Sequence, residues 1–285
     1  MQIKESSIPA RLILPLLFFL LLSTASEAKA DGMIFLPESH HPRYQTHGLF
    51  IDNQTSILYR DGGKAWGSVA AAFALFGTEN GANTSQLVVG ASVNTAFRLE
   101  GGLSPETADA RFDLAWETFL HHDWLVSAGY EHISGHINDS VLPEDRSLIP
   151  LDVGIDLFFA RMIYDGNDFL RPGITIATLM NESDPKSKAL RGNAFAEIFP
   201  WGHPPASRGP TPYLSLGVEE YGHNVEQTSF NAQVGVAFGN IRGTKSGAAL
   251  RTVLGFYTGQ DPRLKNYYIK DSHVSFAYLG IILDL

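Results

Sequence analysis

The chain of 285 residues contains no cysteine. Disulfides, thiol chemistry and anchoring through a lipidated cysteine are therefore excluded, and an exported protein loses nothing by lacking them. Beyond the first thirty residues, no apolar run reaches the roughly 18 residues that a membrane-crossing helix needs. Positive charge is scarce: 21 Lys and Arg stand against 30 Asp and Glu, a formal net charge of −9. A chain this acidic is a poor partner for nucleic acid, and none is expected. The pairs Gly62-Gly63 and Gly101-Gly102 are not followed by a helix that could cradle a phosphate, and they read as turns. No repeat of fixed period is present. No cofactor is expected.

What is present begins with an export signal. Lys4 and Arg11 form a positive leader, Leu12 to Leu22 is an apolar run broken only by Pro15, and Ala28, Lys29 and Ala30 make a small-any-small cleavage site. This reads as a secretory signal peptide over residues 1–30, cleaved after Ala30. Its removal takes three cations and two anions and leaves a net charge of −10. Residues 31–47, with Pro37, Pro42 and His40, His41 and His47, show no strand pattern and read as a short periplasmic lead-in.

From Gly48 onward the chain alternates. Leu87, Val89, Ala91, Val93 and Phe97 share one face, against Gln86, Ser92, Asn94 and Arg98. Phe112, Leu114, Trp116 and Leu120 oppose Arg111, Asp113 and Glu117. Leu151, Val153, Ile155, Leu157 and Phe159 oppose Asp152 and Asp156. Period two is the β signature. Runs of ten or more residues exceed the five or six usual in a soluble sandwich and suit the roughly 9–11 that a tilted strand needs to cross a bilayer. Twelve strands are counted, at about 48–60, 65–76, 86–100, 109–120, 123–136, 151–164, 169–180, 189–200, 211–221, 227–239, 248–258 and 272–285. Merging the weaker ones leaves ten. The expected architecture is all-β: one antiparallel transmembrane barrel over residues 48–285, apolar outside, with Arg98, Arg111, Asp113, Glu117, Asp152 and Asp156 facing the lumen. The connections alternate in length in a way that leaves both ends of the chain in the periplasm.

The last strand supports closure. Tyr278, Gly280, Leu283 and Leu285 follow a pattern of polar aromatic, glycine and two apolar residues. It resembles the terminal assembly signal of outer-membrane β-barrel proteins, with leucine in place of the usual final phenylalanine. The resemblance implies an outer-membrane location and recognition by the barrel-assembly machinery.

One stretch looks chemical. In Tyr130 to Asp139, His132, Ser134 and His136 share a face, and Ile133 and Ile137 lie on the other. With the isoleucines toward lipid, the polar column is expected to line the outer rim of the lumen, beside Asn138 and Asp139. His132 and His136 are about 13 Å apart on a regular strand, too far to share one ion, so no metal is expected. Asp139, Glu144 and Asp145 do not have the spacing of a calcium loop. The motif resembles the His-any-Ser-any-His segment, followed by Asp, of a family of uncharacterised bacterial outer-membrane proteins with a domain of unknown function. It also resembles the His-any-Ser dyad of the outer-membrane lipid A 3-O-deacylase barrel. That second likeness implies an esterase in which Ser134 attacks, His132 takes its proton and Glu144 orients the histidine, and it needs Ser134 toward lipid, the reverse of the expected face. It differs from that family in having Gly135 where the family has asparagine. The leading expectation is a structural or narrowly conducting outer-membrane barrel without chemistry of its own. The competing one is an esterase that modifies lipid A or lipopolysaccharide. Outer-membrane lipid and lipopolysaccharide are partners in both.

Overall fold

Segments that alternate in polarity and are joined by short turns pair with their neighbours in sequence, and twelve such segments close on themselves. The computed structural model describes residues 33–35, 54–80, 83–99, 103–120, 123–137, 152–182, 190–202, 209–222, 226–239, 249–260 and 273–284. The strands are β1 (Met33–Phe35), β2 (Gln54–Arg60), β3 (Lys64–Asn80), β4 (Asn83–Arg98), β5 (Ser104–Leu120), β6 (Trp124–Ile137) and β7 (Asp152–Tyr164). They continue as β8 (Leu170–Glu182), β9 (Leu190–Ile198), β10 (Thr211–Gly222), β11 (Glu226–Phe238), β12 (Ala249–Gln260) and β13 (His273–Asp284). Each strand from β2 to β13 pairs antiparallel with the next, and β13 returns to β2, with Arg60 opposite Tyr278 and Leu58 opposite Gly280. The protein is thus an all-β, closed, twelve-stranded transmembrane barrel.

The short β1 is additional. It pairs with β3, Met33 opposite Thr78 and Phe35 opposite Phe76. The lead-in was expected to carry no strand, and three residues are too few to display a period.

The barrel is inside out relative to a soluble protein. Ile57, Val69, Phe73, Val93, Phe112, Val234, Leu254 and Ile281 are exposed on its outer surface. Gln86, Glu117, Arg171, Glu197, Ser215, Gln233 and Arg251 are buried within it. Only lipid against the outer face accounts for this inversion. The interior is packed rather than open. Arg171 and Glu197 pair there, both at 0% exposure. Gln86 Nε2 donates to Glu117 Oε2 at 2.9 Å, and the Arg111 guanidinium donates to Glu131 Oε2 at 2.8 Å. Apolar groups join them: Phe276 lies 4.8 Å from Trp66 and 5.3 Å from Tyr257 between ring centroids, with the Arg60 guanidinium 4.1 Å from its own.

The structure places Arg111, Asp113 and Glu117 on the inward face of β5, and Arg98 at the end of β4, where it donates to Glu106 at 3.2 Å. Asp156 faces the other way. On β7 the inward residues are Ile155, Leu157, Phe159, Arg161 and Ile163, all buried, while Asp156, Phe158 and Met162 lie outward. The expected faces of this strand are therefore reversed. Asp152 and Asp156 mark one face of β7 as polar and Arg161 marks the other, so alternation gave it no consistent sign. The inward set is held by Ala115, Ala177 and Leu179, with which Ile155, Leu157 and Phe159 cluster. Asp152 lies opposite His136 in register.

Glycines admit the interior aromatics. Gly173, Gly235 and Gly255 stand directly opposite Phe195, Tyr213 and Tyr278. In each case the ring covers the bare Cα so closely that a Cβ would fall within it. Tyr278 also donates to Asn231 Oδ1 at 2.8 Å. At the closing seam, a Cβ on Gly280 would collide with Leu58 Cδ2. Tyr278 and Gly280 of the terminal pattern thus both serve closure, while Leu285 lies outside the described residues.

Two outcomes are expected. Gly280→Val should destabilise the barrel by about 1–3 kcal/mol, the usual range for overpacking, seen as a lower temperature for loss of the fast-migrating folded band on unheated gels. Val234, 49% exposed and near the middle of β11, should tolerate leucine. Arginine there should cost about 2–4 kcal/mol in urea titrations of refolding into lipid, because a charge near the bilayer midplane is poorly solvated.

Candidate functional site

On β6, Leu125, Ser127, Gly129, Glu131, Ile133 and Gly135 share one face, and Val126, Tyr130, His132, Ser134 and His136 share the other. Glu131 decides which is which. Its partner Arg111 lies on the inward face of β5, and hydrocarbon would solvate such a pair poorly. Leu125 and Ser127 are likewise buried inside, each 1% exposed. His132, Ser134 and His136 consequently point outward, His132 opposite the exposed Phe112 in register. This corrects the expected inward orientation. Ile133 does not need lipid: it packs on the interior cluster of Ile155, Leu157 and Phe159.

The outward face of β7 brings a carboxylate to this column. Asp156 is the register partner of His132. Its Oδ1 lies 2.8 Å from His132 Nδ1 and accepts the Tyr130 hydroxyl at 2.5 Å. The Tyr130 ring packs edge-on against Phe158, with 6.1 Å between centroids. His132 keeps 43% of its side chain exposed. Ser134 stands two residues further along the same face, flanked in register by Ala110 on β5 and Gly154 on β7. Neither neighbour carries a large side chain, and Phe112 stands two residues from Ala110 along β5.

A carboxylate on a histidine nitrogen, with a serine beside that histidine, is the donor and acceptor order of an acyl-transfer site. With Nδ1 turned to Asp156, Nε2 is the nitrogen left to take a proton. Side chains two apart on one strand face start about 6.6 Å apart along the backbone, so His132 and Ser134 meet only when both side chains turn toward each other. The oxyanion would need donors from the backbone beside Ser134 or from the loop that follows.

Of the residues singled out from sequence, His132, Ser134 and His136 are brought to one face. Glu144, Asn138 and Asp139 lie outside the described residues. Asp156, assigned from sequence to the lumen, occupies the position given to Glu144. Tyr130 was read only as the start of the motif. Neither role could be seen without the pairing of β6 with β7, which joins residues 24 apart across a long connection. Among the described residues, no group of three or more His, Asp or Glu side chains is placed to hold a metal ion.

No protein-family model matches the chain, and no curated protein matches it. Solved structures do. The outer membrane phospholipase A of Escherichia coli is similar over 82% of this chain and 97% of its own, at 12% identity and a TM-score of 0.53. The outer membrane phospholipase of Salmonella typhi, solved as a dimer with bound calcium, is similar over 85% of this chain and 94% of its own, at 13% identity and a TM-score of 0.53. The β domain of the Bordetella autotransporter BrkA covers 82% of this chain and 96% of its own, at 10% identity and a TM-score of 0.42. At such identities the likeness to the two phospholipase structures shows the fold, that of an outer-membrane β-barrel.

The orientation is open to direct test, helped by the absence of native cysteine. Ser134→Cys in the folded protein in lipid should react with a membrane-soluble maleimide. Ser127→Cys, buried inward, should react with neither that reagent nor a charged one. Labelling of the Ser134→Cys variant only by a reagent admitted through the lumen would reverse the assigned faces.

Proposed function

We propose that this protein is an integral protein of the bacterial outer membrane that hydrolyses a carboxylic ester of an outer-leaflet lipid, with Ser134 as nucleophile, His132 as general base and Asp156 as its orienting carboxylate. The observation that carries this reading is the Asp156–His132 contact on the outward face, with Ser134 next along the same strand. Ionisable side chains are expensive where lipid lies against the barrel, and function is the ordinary reason they are kept there. The lipid-modifying reading of the sequence needed Ser134 on the outside, and that is where it stands. Two proteins of similar fold are named as phospholipases, which supports the reading without identifying the substrate.

The height of the site supports the choice of leaflet. Trp124 and Tyr164 lie together at the end of β6 nearest the chain termini, 4.8 Å between centroids. They have the character of an interfacial aromatic pair. The longest connection between barrel strands, 138–151, lies at the opposite end, which puts the termini in the periplasm. From Trp124 to Ser134 the strand advances about 34 Å at ~3.4 Å per residue. A tilt of about 40° turns that into about 26 Å of height, against an apolar band about 25 Å tall. Ser134 thus comes to the outer boundary, where ester groups of outer-leaflet lipids lie and water can reach.

In the reaction, Ser134 Oγ adds to the ester carbonyl carbon while its proton passes to His132 Nε2. Asp156 holds the Nδ1 side of the imidazolium that forms. Collapse of the tetrahedral adduct breaks the carbon–oxygen bond and releases the alcohol portion of the lipid with the proton from His132. Water, deprotonated by the same histidine, then cleaves the acyl-serine and frees the fatty acid.

The other reading, a structural or narrowly conducting barrel, finds support for its structural half in the buried interior pairs and stacked rings. We propose further that residues 1–30 are removed on export and that the closing strand is read by the barrel-assembly machinery.

Purified protein refolded in mixed micelles should release fatty acid from phospholipid or from lipopolysaccharide, scored by mass spectrometry. Ser134→Ala and His132→Ala should lose the activity. Asp156→Ala should fall by at least about tenfold, by analogy with removal of an orienting carboxylate. Ala110→Leu, which sets a larger side chain beside Ser134, should raise KM with little change in folding. Absence of any acyl release from both lipids would remove the hydrolase reading. In planar bilayers the protein should show no conductance steps, and steady channel openings would restore the pore.

A further inference from the structure

Tyr130 and His132 are both on β6, two residues apart on its outward face, and both reach the same oxygen, Asp156 Oδ1, at 2.5 Å and 2.8 Å. Two donors on one strand therefore grip one carboxylate oxygen on the neighbouring strand. The Tyr130 hydroxyl takes no part in strand pairing, which is made by backbone groups. Its ring is seated separately, edge-on against Phe158. The hydroxyl could be deleted without disturbing either the ladder or that ring contact. What it acts on is the placement of Asp156.

A carboxylate beside lipid has little water to hold it. With fewer donors, it would be freer to turn about its own side-chain torsions and lose the imidazole. From this geometry we infer that Tyr130 is a positioning residue for ester hydrolysis, fixing Asp156 so that the carboxylate holds His132 by Nδ1 and leaves Nε2 for Ser134. The inference rests on the hydrolase reading, and it adds a fourth member to the site, one that acts on the reaction through Asp156 rather than on substrate.

The test is covalent capture of the serine by a fluorophosphonate carrying a long alkyl chain, in which Ser134 Oγ displaces fluoride from phosphorus and His132 takes the proton. Full-length protein in micelles is used, with the labelled residue identified by peptide mass spectrometry. Wild type should label at Ser134. Tyr130→Phe should label about tenfold more slowly, the effect of losing one hydrogen bond to a charged group. The probe concentration for half-maximal rate and the temperature of the folded-to-unfolded gel shift should both stay unchanged. In an Asp156→Ala background the same substitution should add no further slowing, because the interaction it removes is already gone. An equal slowing in both backgrounds, or no slowing in either, overturns the positioning role while leaving the hydrolase reading intact. Wild-type protein that is not labelled at Ser134 overturns both. Should Tyr130→Phe not refold, Phe158→Ala keeps the hydroxyl but removes the seat of its ring. It is expected to slow labelling about threefold with Asp156 present, a partial loss of the same hydrogen bond, and not at all in Asp156→Ala.

Discussion

The hydrogen bonds between β13 and β2 are the constraint on which the remaining structure rests. Within a bilayer, each backbone N–H or C=O on an open sheet edge would cost several kcal/mol, and no water is there to relieve it. Antiparallel pairing of neighbours leaves only two edges, and the seam from Arg60 opposite Tyr278 to Gln54 opposite Asp284 removes both. The seam needs close approach. Gly280 supplies it by giving room to Leu58, and Tyr278 lies over Gly255 on the next strand, bonded to Asn231. Closure also divides the surface into an apolar outside and an inside where Arg171 can meet Glu197 and Gln86 can meet Glu117.

Against that division, the outward group of Tyr130, Asp156, His132 and Ser134 is an exception. A barrel that only had to be stable would replace it with valine and leucine. It is kept in order by the same ladder that closes the barrel: the register of β6 on β7 sets Asp156 beside His132 and Gly154 beside Ser134. A strand in a closed sheet over a packed interior holds the geometry of its side chains better than a loop does. The packed lumen and the outward polar group are thus complementary features. The inside supplies stiffness, and the outside meets the lipid.

Much of the fold is legible along the chain itself. The even count came through because period two is a local property, although β3 and β5 run to 17 residues each, beyond the expected 65–76 and 109–120. The faces of β4 and β5 came through as well, since Val93 against Asn94 and Phe112 against Arg111 differ plainly in polarity. β6 and β7 did not. Isoleucine at 133 suits a packed interior as well as it suits lipid, and Phe158 and Met162 are as apolar as Leu157 and Phe159. With Asp156 on one face of β7 and Arg161 on the other, charge marks both faces and alternation loses its sign.

The sequence by itself therefore determined that the chain forms a barrel, about how many strands it has, and that a histidine and a serine share one strand face, because these follow from neighbours along the chain. Only the tertiary structure decided which way that face points and what stands beside it. The orientation of β6 is set by Glu131 meeting Arg111, and the carboxylate beside His132 is set by the register of two strands joined by a long connection. Both are contacts between residues 20 or more apart in sequence, and no periodicity along one strand reports them.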